Sequence, residues 1–275
     1  MLSELFKFDR FLRIENKKLL DSVHCNMNLI TLIDDYLDSY AKENNLTIPT
    51  IIKKYLDFIS LYSKHIDLFV RTKKYPAEFS YQIEIERTEY DIALILSAVT
   101  SIHRHILLNQ IVEFCSTIHD NILIVGVGSG IELEIIKNYS QSQEVFIDAF
   151  DIDINPWLKR KFPLVNFYQK EFDFTHDKKY SFIFLIEILE HLKTPFKLLR
   201  DCKRALEKDG KLVTTTARNI PQFDHLYNFT HDSRFENELN EIDLIIEKKV
   251  EIPHHFQSQN IEAKNTYYIL KSNLL

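Results

Sequence analysis

Only four glycines occur in 275 residues, and three of them, Gly126, Gly128 and Gly130, fall within five positions. They close the segment Asn121-Ile-Leu-Ile-Val-Gly-Val-Gly-Ser-Gly130, a β-branched run that ends in a turn. A residue without Cβ takes positive φ at no steric cost and lets another group approach bare backbone. A chain nearly free of glycine therefore has a local reason for three of them here. The next stretch, Ile131-Glu-Leu-Glu-Ile-Ile-Lys-Asn-Tyr139, has helical periodicity. Strand, glycine turn and helix in this order hold nucleotide-like ligands in doubly wound α/β folds.

The rest of the chain fits such a fold. From Asn121 onward, strand patterns at 121–125, 144–150, 164–168, 180–186 and 211–216 alternate with helical patterns at 130–139, 156–161 and 189–207. Gly210 falls where a helix C-terminal glycine belongs. A short helix near 234–239 precedes two more strands, about 244–252 and 265–270. Alternation of this kind predicts a doubly wound, Rossmann-like sheet of seven mostly parallel strands, covered by helices on both faces. Residues 1–118 contain no glycine and read as helices. Apolar stripes run through Leu29–Leu37 and through Ile51–Ile59, the latter after a start signal at Thr47-Ile48-Pro49. Two further helices, 89–99 and 102–114, flank a cap at Thr100-Ser101. The expected organisation is an all-helical N-terminal lid or substrate domain, 1–118, and a cofactor domain, 119–275.

Composition excludes some classes of function. A formal charge of −6 argues against a nucleic-acid partner. Cys25, Cys115 and Cys202 form no zinc or disulfide spacing, which suits a reducing compartment. The N-terminus carries charges where a signal peptide has its apolar core, and the apolar runs are too short to span a bilayer. The expectation is a cytoplasmic protein with no membrane partner, and with a homodimer allowed.

Four segments carry the chemistry. The turn is Gly-x-Gly-x-Gly, with Ile131 where a dinucleotide fold has its third glycine, and it lacks the Lys-Ser/Thr of a P-loop. It suits a nucleoside ligand without phosphates, with Val127 between the first two glycines. Phe150-Asp151-Ile152-Asp153-Ile154-Asn155-Pro156 ends the second strand, and Asp151 is placed to accept two ribose hydroxyls, with Asp153 as cap of the next helix. After the third strand, Glu171 is placed near an adenine amine and Phe172 against its ring. Glu187-Ile-Leu-Glu190-His191-Leu192 follows the fourth strand, at the carboxyl edge where ligands bind in open sheets.

In this order and spacing, the four segments resemble the class I S-adenosylmethionine-dependent methyltransferases. Glu-Ile-Leu-Glu-His-Leu at 187–192 is similar to the superfamily's Glu-Val-Leu-Glu-His-Leu, and Arg204–Val213 is similar to its passage into strand five. The resemblance implies S-adenosylmethionine as cofactor, with the Gly126–Gly130 turn near its amino-acid portion, Asp151 and Ile152 at the ribose, Glu171 and Phe172 near adenine, and Glu187 alongside. Arg104, just upstream, is placed to pair with the methionyl carboxylate. The stretch Arg218-Asn219-Ile-Pro-Gln-Phe-Asp224-His225-Leu-Tyr227 resembles a segment of a bacterial subset of these enzymes. It implies His225 as base, with Asn219 and Tyr227 orienting a small-molecule acceptor, and it suggests specialised metabolism.

Other readings stay open. The same fold supports cyclisation or lysis of the cofactor to methylthioadenosine, and a non-catalytic cofactor-binding regulator. Small-RNA 2′-O-methyltransferases use a Glu-x-x-Glu-His, plus a later histidine, to hold a metal. Here the pattern occurs as Glu187, Glu190 and His191, with His225 downstream. Because the same pattern is widespread in metal-free relatives and the chain is acidic, no metal is expected.

Overall fold

The computed structural model describes residues 1–75, 85–142, 145–174, 178–254 and 261–273. Six helices come first: α1 (Leu2–Phe8), α2 (Arg10–Leu20), α3 (Met27–Glu43), α4 (Ile48–Thr72), α5 (Arg87–Thr100) and α6 (Ile102–Cys115). They are followed by β1 (Ile122–Val125), α7 (Ile131–Tyr139), β2 (Ile147–Asp151), α8 (Pro156–Lys161), β3 (Val165–Gln169) and β4 (Tyr180–Leu185). A 3₁₀ turn at Leu189–His191 leads to α9 (Pro195–Ala205), β5 (Leu206–Arg218), α10 (Asp232–Glu241), β6 (Leu244–Pro253) and β7 (Lys264–Ser272).

The strands form one seven-stranded sheet in the order β3-β2-β1-β4-β5-β7-β6. β3, β2, β1, β4 and β5 pair in parallel, and β7 lies antiparallel to both β5 and β6. Alternate residues serve the two faces. Ile122, Ile124, Ile147 and Phe184 join the core beneath α6, α7 and α8, whereas Leu123, Val125, Ile183 and Leu212 pack with α9 and α10. The first of these cores is continuous with the N-terminal helices, from Leu2 to Ile269. Among the described residues no single helix is long and apolar enough to cross a membrane, and α5 and α6 meet at 87° around Ser101.

Local signals account for most helix starts. Thr47 caps α4 by accepting from the Thr50 amide, with Pro49 in the first turn. Ser101 stands at the N-cap of α6, but its hydroxyl meets His103 Nδ1 at 2.6 Å and caps nothing. Asn155, rather than Asp153, caps α8 by accepting from the Trp157 amide at 3.0 Å. The helical pattern expected over 189–207 is broken by Pro195, which starts α9 after the 3₁₀ turn. Of the strand expected at 144–150, residue 144 lies outside the described residues.

Gly210 corrects the expected helix cap. α9 ends at Ala205, and Gly210 lies inside β5, where the register to β4 shifts between Tyr180 and Phe182. A Cβ there would meet Leu206 Cδ1 at 2.9 Å and the Ser181 carbonyl at 3.1 Å. Close approach in a bulged strand, not a left-handed cap, demands glycine. Gly210→Ala should therefore lower unfolding free energy by about 1–3 kcal/mol. Urea denaturation reads this directly, and an unchanged midpoint refutes the crowding argument.

Candidate active site

The glycine turn joins β1 to α7, and its three glycines have φ of +83°, +51° and +80°. A Cβ on Gly126 would meet Ile188 Cδ1 at 2.9 Å, and one on Gly130 would meet the Tyr36 hydroxyl at 2.7 Å. The turn is held from below by Asp151, at the end of β2. One of its oxygens accepts from the Val127 amide at 2.7 Å and the Gly128 amide at 3.0 Å, and the other accepts from the Asp153 amide at 3.0 Å. Ile152 beside it is 72% exposed. An oriented carboxylate, a bare apolar side chain and a turn that lacks the Lys-Ser/Thr of a P-loop fit a nucleoside ligand. Phe172 packs edge-on against Phe150 at 5.1 Å, and Glu171 next to it is exposed.

The N-terminal helices bolt onto this turn through residues that the sequence did not single out. Arg87, the first residue of α5, donates to the Gly128 carbonyl at 2.5 Å and the Asp153 carbonyl at 2.7 Å. It also pairs with buried Asp91 at 2.9 Å. Asp91 in turn accepts from Asn155 at 2.8 Å and the Tyr40 hydroxyl at 2.9 Å. The Tyr36 hydroxyl donates to the Ser129 carbonyl at 2.6 Å. Tyr36 and Tyr40 both sit edge-on to Trp157 of α8, at 5.1 and 5.0 Å. The signal was diffuse, since each was one aromatic or charge in an amphipathic stripe.

Arg104 is buried, and its guanidinium is committed to Glu132 and Glu187. This corrects the expectation of a guanidinium turned to a ligand carboxylate: its anionic partners come from the protein. Glu187 holds φ +48° just after β4, and its other oxygen accepts from Asn265 at 2.9 Å. A left-handed glutamate at the carboxyl edge of a sheet carries backbone strain that its ion pair and hydrogen bonds hold in place.

A second polar group lies beyond Glu187. Leu226 and Tyr227 amides donate to the Glu190 carbonyl at 2.8 and 2.9 Å, stitching the loop after β5 to the turn after β4. Glu190, His191 and His225 each bring a ligand-type atom within 4.8 Å of the others. His225 is buried, and its Nδ1 meets the Ile220 carbonyl at 2.7 Å, so that nitrogen carries the proton and Nε2 the lone pair. Burial, followed by the neighbouring His191, pushes its pKa down to about 4. Burial also opposes a charged His191, but Asp224 outweighs it and holds that pKa at about 9. Asp224 is correspondingly held well below the usual carboxylate range; although burial acts against its charge, His191 prevails. It accepts from Tyr90 of α5 at 3.1 Å and Gln222 at 2.9 Å. Burial pushes Glu190 up to about 7.

The structure separates the residues expected to act with His225. Asn219 donates to the Glu262 carbonyl at 2.9 Å and exchanges hydrogen bonds with Asn228, so its amide pins the loop. The Tyr227 ring packs with Phe196 and Phe229, on the α9 side of the sheet. Only His225 joins Glu190, His191 and Asp224.

These features define a class I methyltransferase fold: the strand order with its antiparallel β7, the left-handed turn after β1 and the acid closing β2. The chain belongs to the methyltransferase-domain family, whose model matches residues 101–262. It is an S-adenosylmethionine-dependent methyltransferase. No curated protein matches it significantly. Among solved structures, it is similar to the O-methyltransferase NcsB1 from neocarzinostatin biosynthesis, solved with S-adenosylmethionine and 2-hydroxy-5-methyl naphthoic acid. That likeness has a TM-score of 0.54 at 11% identity and covers 81% of this chain and 70% of that one. The N-methyltransferase NodS from Bradyrhizobium japonicum WM9 gives 0.47 at 14%, covering 62% and 97%. The 1,6-didemethyltoxoflavin-N1-methyltransferase of Burkholderia thailandensis gives 0.48 at 13%, covering 60% and 79%. At these identities the likeness concerns the fold.

Removing Arg104 strands two carboxylates. Arg104→Ala should lower unfolding free energy by about 2–3 kcal/mol, below the value for a fully enclosed pair because Glu187 is partly exposed. Chemical denaturation measures it. A near-neutral result shows that solvent already screens the two acids.

Proposed function

We propose that this enzyme methylates a small organic acceptor bearing a hydroxyl or protonated amine, as specialised-metabolism methyltransferases do. The observation that carries the reading is the placement of His225. It is a buried neutral imidazole with its lone pair on Nε2, in the loop after β5 and next to Asp224, which Tyr90 of α5 reaches. Phe58 of α4, Tyr90 of α5 and Phe223 contact one another edge-on at 6.1–6.2 Å, next to Asp224. His65 of α4 lies beside Phe223, and its buried Nδ1 has no partner among the described residues. Aromatic surface with a few polar groups suits a flat, small acceptor. The naphthoic acid bound by NcsB1, whose likeness extends over more of this chain than the sheet domain alone, is an acceptor of that kind.

The cofactor supplies an electrophilic methyl group on a sulfonium. In this reading, the chain's residues do the rest. The Gly126–Gly130 turn and Asp151 hold the amino-acid and ribose portions, and Ile152, Glu171 and Phe172 border the base. Helices α1–α6 close as a lid and exclude water. Tyr90 and His191 lock Asp224, and the Ile220 carbonyl fixes the His225 tautomer. His225 Nε2 takes the acceptor proton. Asn219 positions the loop rather than the acceptor.

Three outcomes test the proposal. Incubation with S-adenosylmethionine and hydroxylated aromatic acceptors should yield S-adenosylhomocysteine by mass spectrometry; methylthioadenosine formed without acceptor overturns methyl transfer in favour of cyclisation or lysis. His225→Gln should lower kcat by about 10²–10⁴-fold while leaving cofactor affinity unchanged, and an undiminished kcat removes it as base. Asp151→Asn should weaken S-adenosylmethionine binding by about 10–100-fold, the value of one or two hydrogen bonds to a charged group. Calorimetry giving wild-type affinity refutes the ribose assignment.

A further inference from the structure

We propose that Glu190, His191 and His225 form a binding site for a divalent first-row transition-metal cation of the zinc and cobalt type. The sequence pattern pointed to no metal, because Glu-x-x-Glu-His occurs so widely. The geometry adds what a pattern cannot. The three ligand-type atoms, one from each side chain, lie within 4.8 Å of one another. Metal–ligand bonds of about 2.1 Å set the edges of a tetrahedron at about 3.4 Å, which small side-chain rotations reach.

The three side chains are arranged around a cation-sized space, and binding displaces the Nε2 proton of His191. Glu190 is 1% exposed, yet its Oε2 has no hydrogen-bond partner among the described residues. Buried carboxyl oxygens without partners are rare in native proteins, and an unrecorded ion is a standard reason for one. His225 Nδ1 is engaged by the Ile220 carbonyl at 2.7 Å, and His191 Nδ1 faces an Asp224 carboxylate oxygen at 3.3 Å. In both rings, Nε2 is the nitrogen that remains. Metal-bound imidazoles are held in this way, by a carbonyl or carboxylate behind the other ring nitrogen. The two segments that carry the ligands are already joined by the Leu226 and Tyr227 amides at the Glu190 carbonyl, so the site needs no folding step to assemble.

Glu187 does not belong to the set, since Arg104 and Asn265 occupy its two oxygens. Three protein ligands, two imidazoles and one carboxylate, leave a coordination position open, as in catalytic rather than structural zinc sites. Imidazole nitrogen disfavours magnesium and calcium, which take oxygen. If the proposed methyl transfer is right, the open position faces the acceptor. The base role of His225 Nε2 belongs to the metal-free enzyme; with the ion bound, that lone pair is a ligand and the ion instead lowers the acceptor's proton affinity. The site itself stands independently of that role.

Cobalt(II) is the probe. The full-length protein, stripped with a chelator and dialysed, should bind one equivalent with a visible d–d absorption band of low-symmetry nitrogen and oxygen ligation. Glu190→Gln and His225→Gln, both close in size to the native residues, should each weaken binding by at least about 100-fold. His119→Gln, at an exposed histidine, should leave it unchanged. Near-UV circular dichroism verifies that the variants are folded. Absence of the band, or a band that survives both substitutions, overturns the site. Cobalt bound in this way without any methyl transfer supports the site and counts against the proposed function. Full methyl transfer by stripped protein that takes up no cobalt overturns the site and leaves the function standing.

Discussion

Two backbone amides, those of Val127 and Gly128, donate to a single oxygen of Asp151, and the architecture of the active edge follows from that contact. It ties the turn after β1 to the end of β2, the strand paired beside it, so the two loops hold one position relative to each other. The amides point inward only because Gly126, Gly128 and Gly130 all take left-handed φ. Side chains at Gly126 and Gly130 would strain the backbone and also strike Ile188 or Tyr36. All three glycines are thus needed for conformation, and Gly126 and Gly130 for space as well.

Around this fixed turn, the N-terminal helices act as part of the active edge. Arg87 reaches from α5 to carbonyls in the loops after both β1 and β2, and Tyr36 reaches from α3 to the Ser129 carbonyl. The charge of Arg87 is met by one oxygen of Asp91, and the other oxygen accepts from Asn155 and Tyr40. Residues from α3, α5 and the start of α8 thus converge on one buried carboxylate, which holds α3 and α5 against the sheet. The family match begins at residue 101, within the helical part of the chain, in keeping with a core that continues from one part to the other.

At the neighbouring carboxyl edge, the electrostatics are less settled. Asp224 and His191 form a paired charge, whereas Glu190 and His225 are buried beside them and favour their neutral forms. Protein seldom keeps two acids and two imidazoles in so small a space without a chemical use for them. Tyr90, from the helical region, donates into the same group. The placement of α5 and the state of this cluster are therefore physically linked.

Much of the fold was legible because its signals are local. The glycine turn, the alternation of strands and helices, and the seven strands could be read from periodicity and from residues with special backbone freedom. Misreadings arose where a local signal had a nonlocal cause. Gly210 looked like a helix cap but answers a close approach by Ser181 across the sheet. Asp153 looked like a cap but pairs with Arg87, 66 residues away. Arg104 looked like a ligand arm but neutralises two glutamates. The sequence by itself determined the sheet and its glycine turn, since backbone sterics and side-chain period act within a few residues. Only the tertiary structure decided which charges meet, leaving His225 with Glu190 and His191 and turning Asn219 and Tyr227 elsewhere. Pairing energies depend on distance and burial, and neither is encoded at any one position.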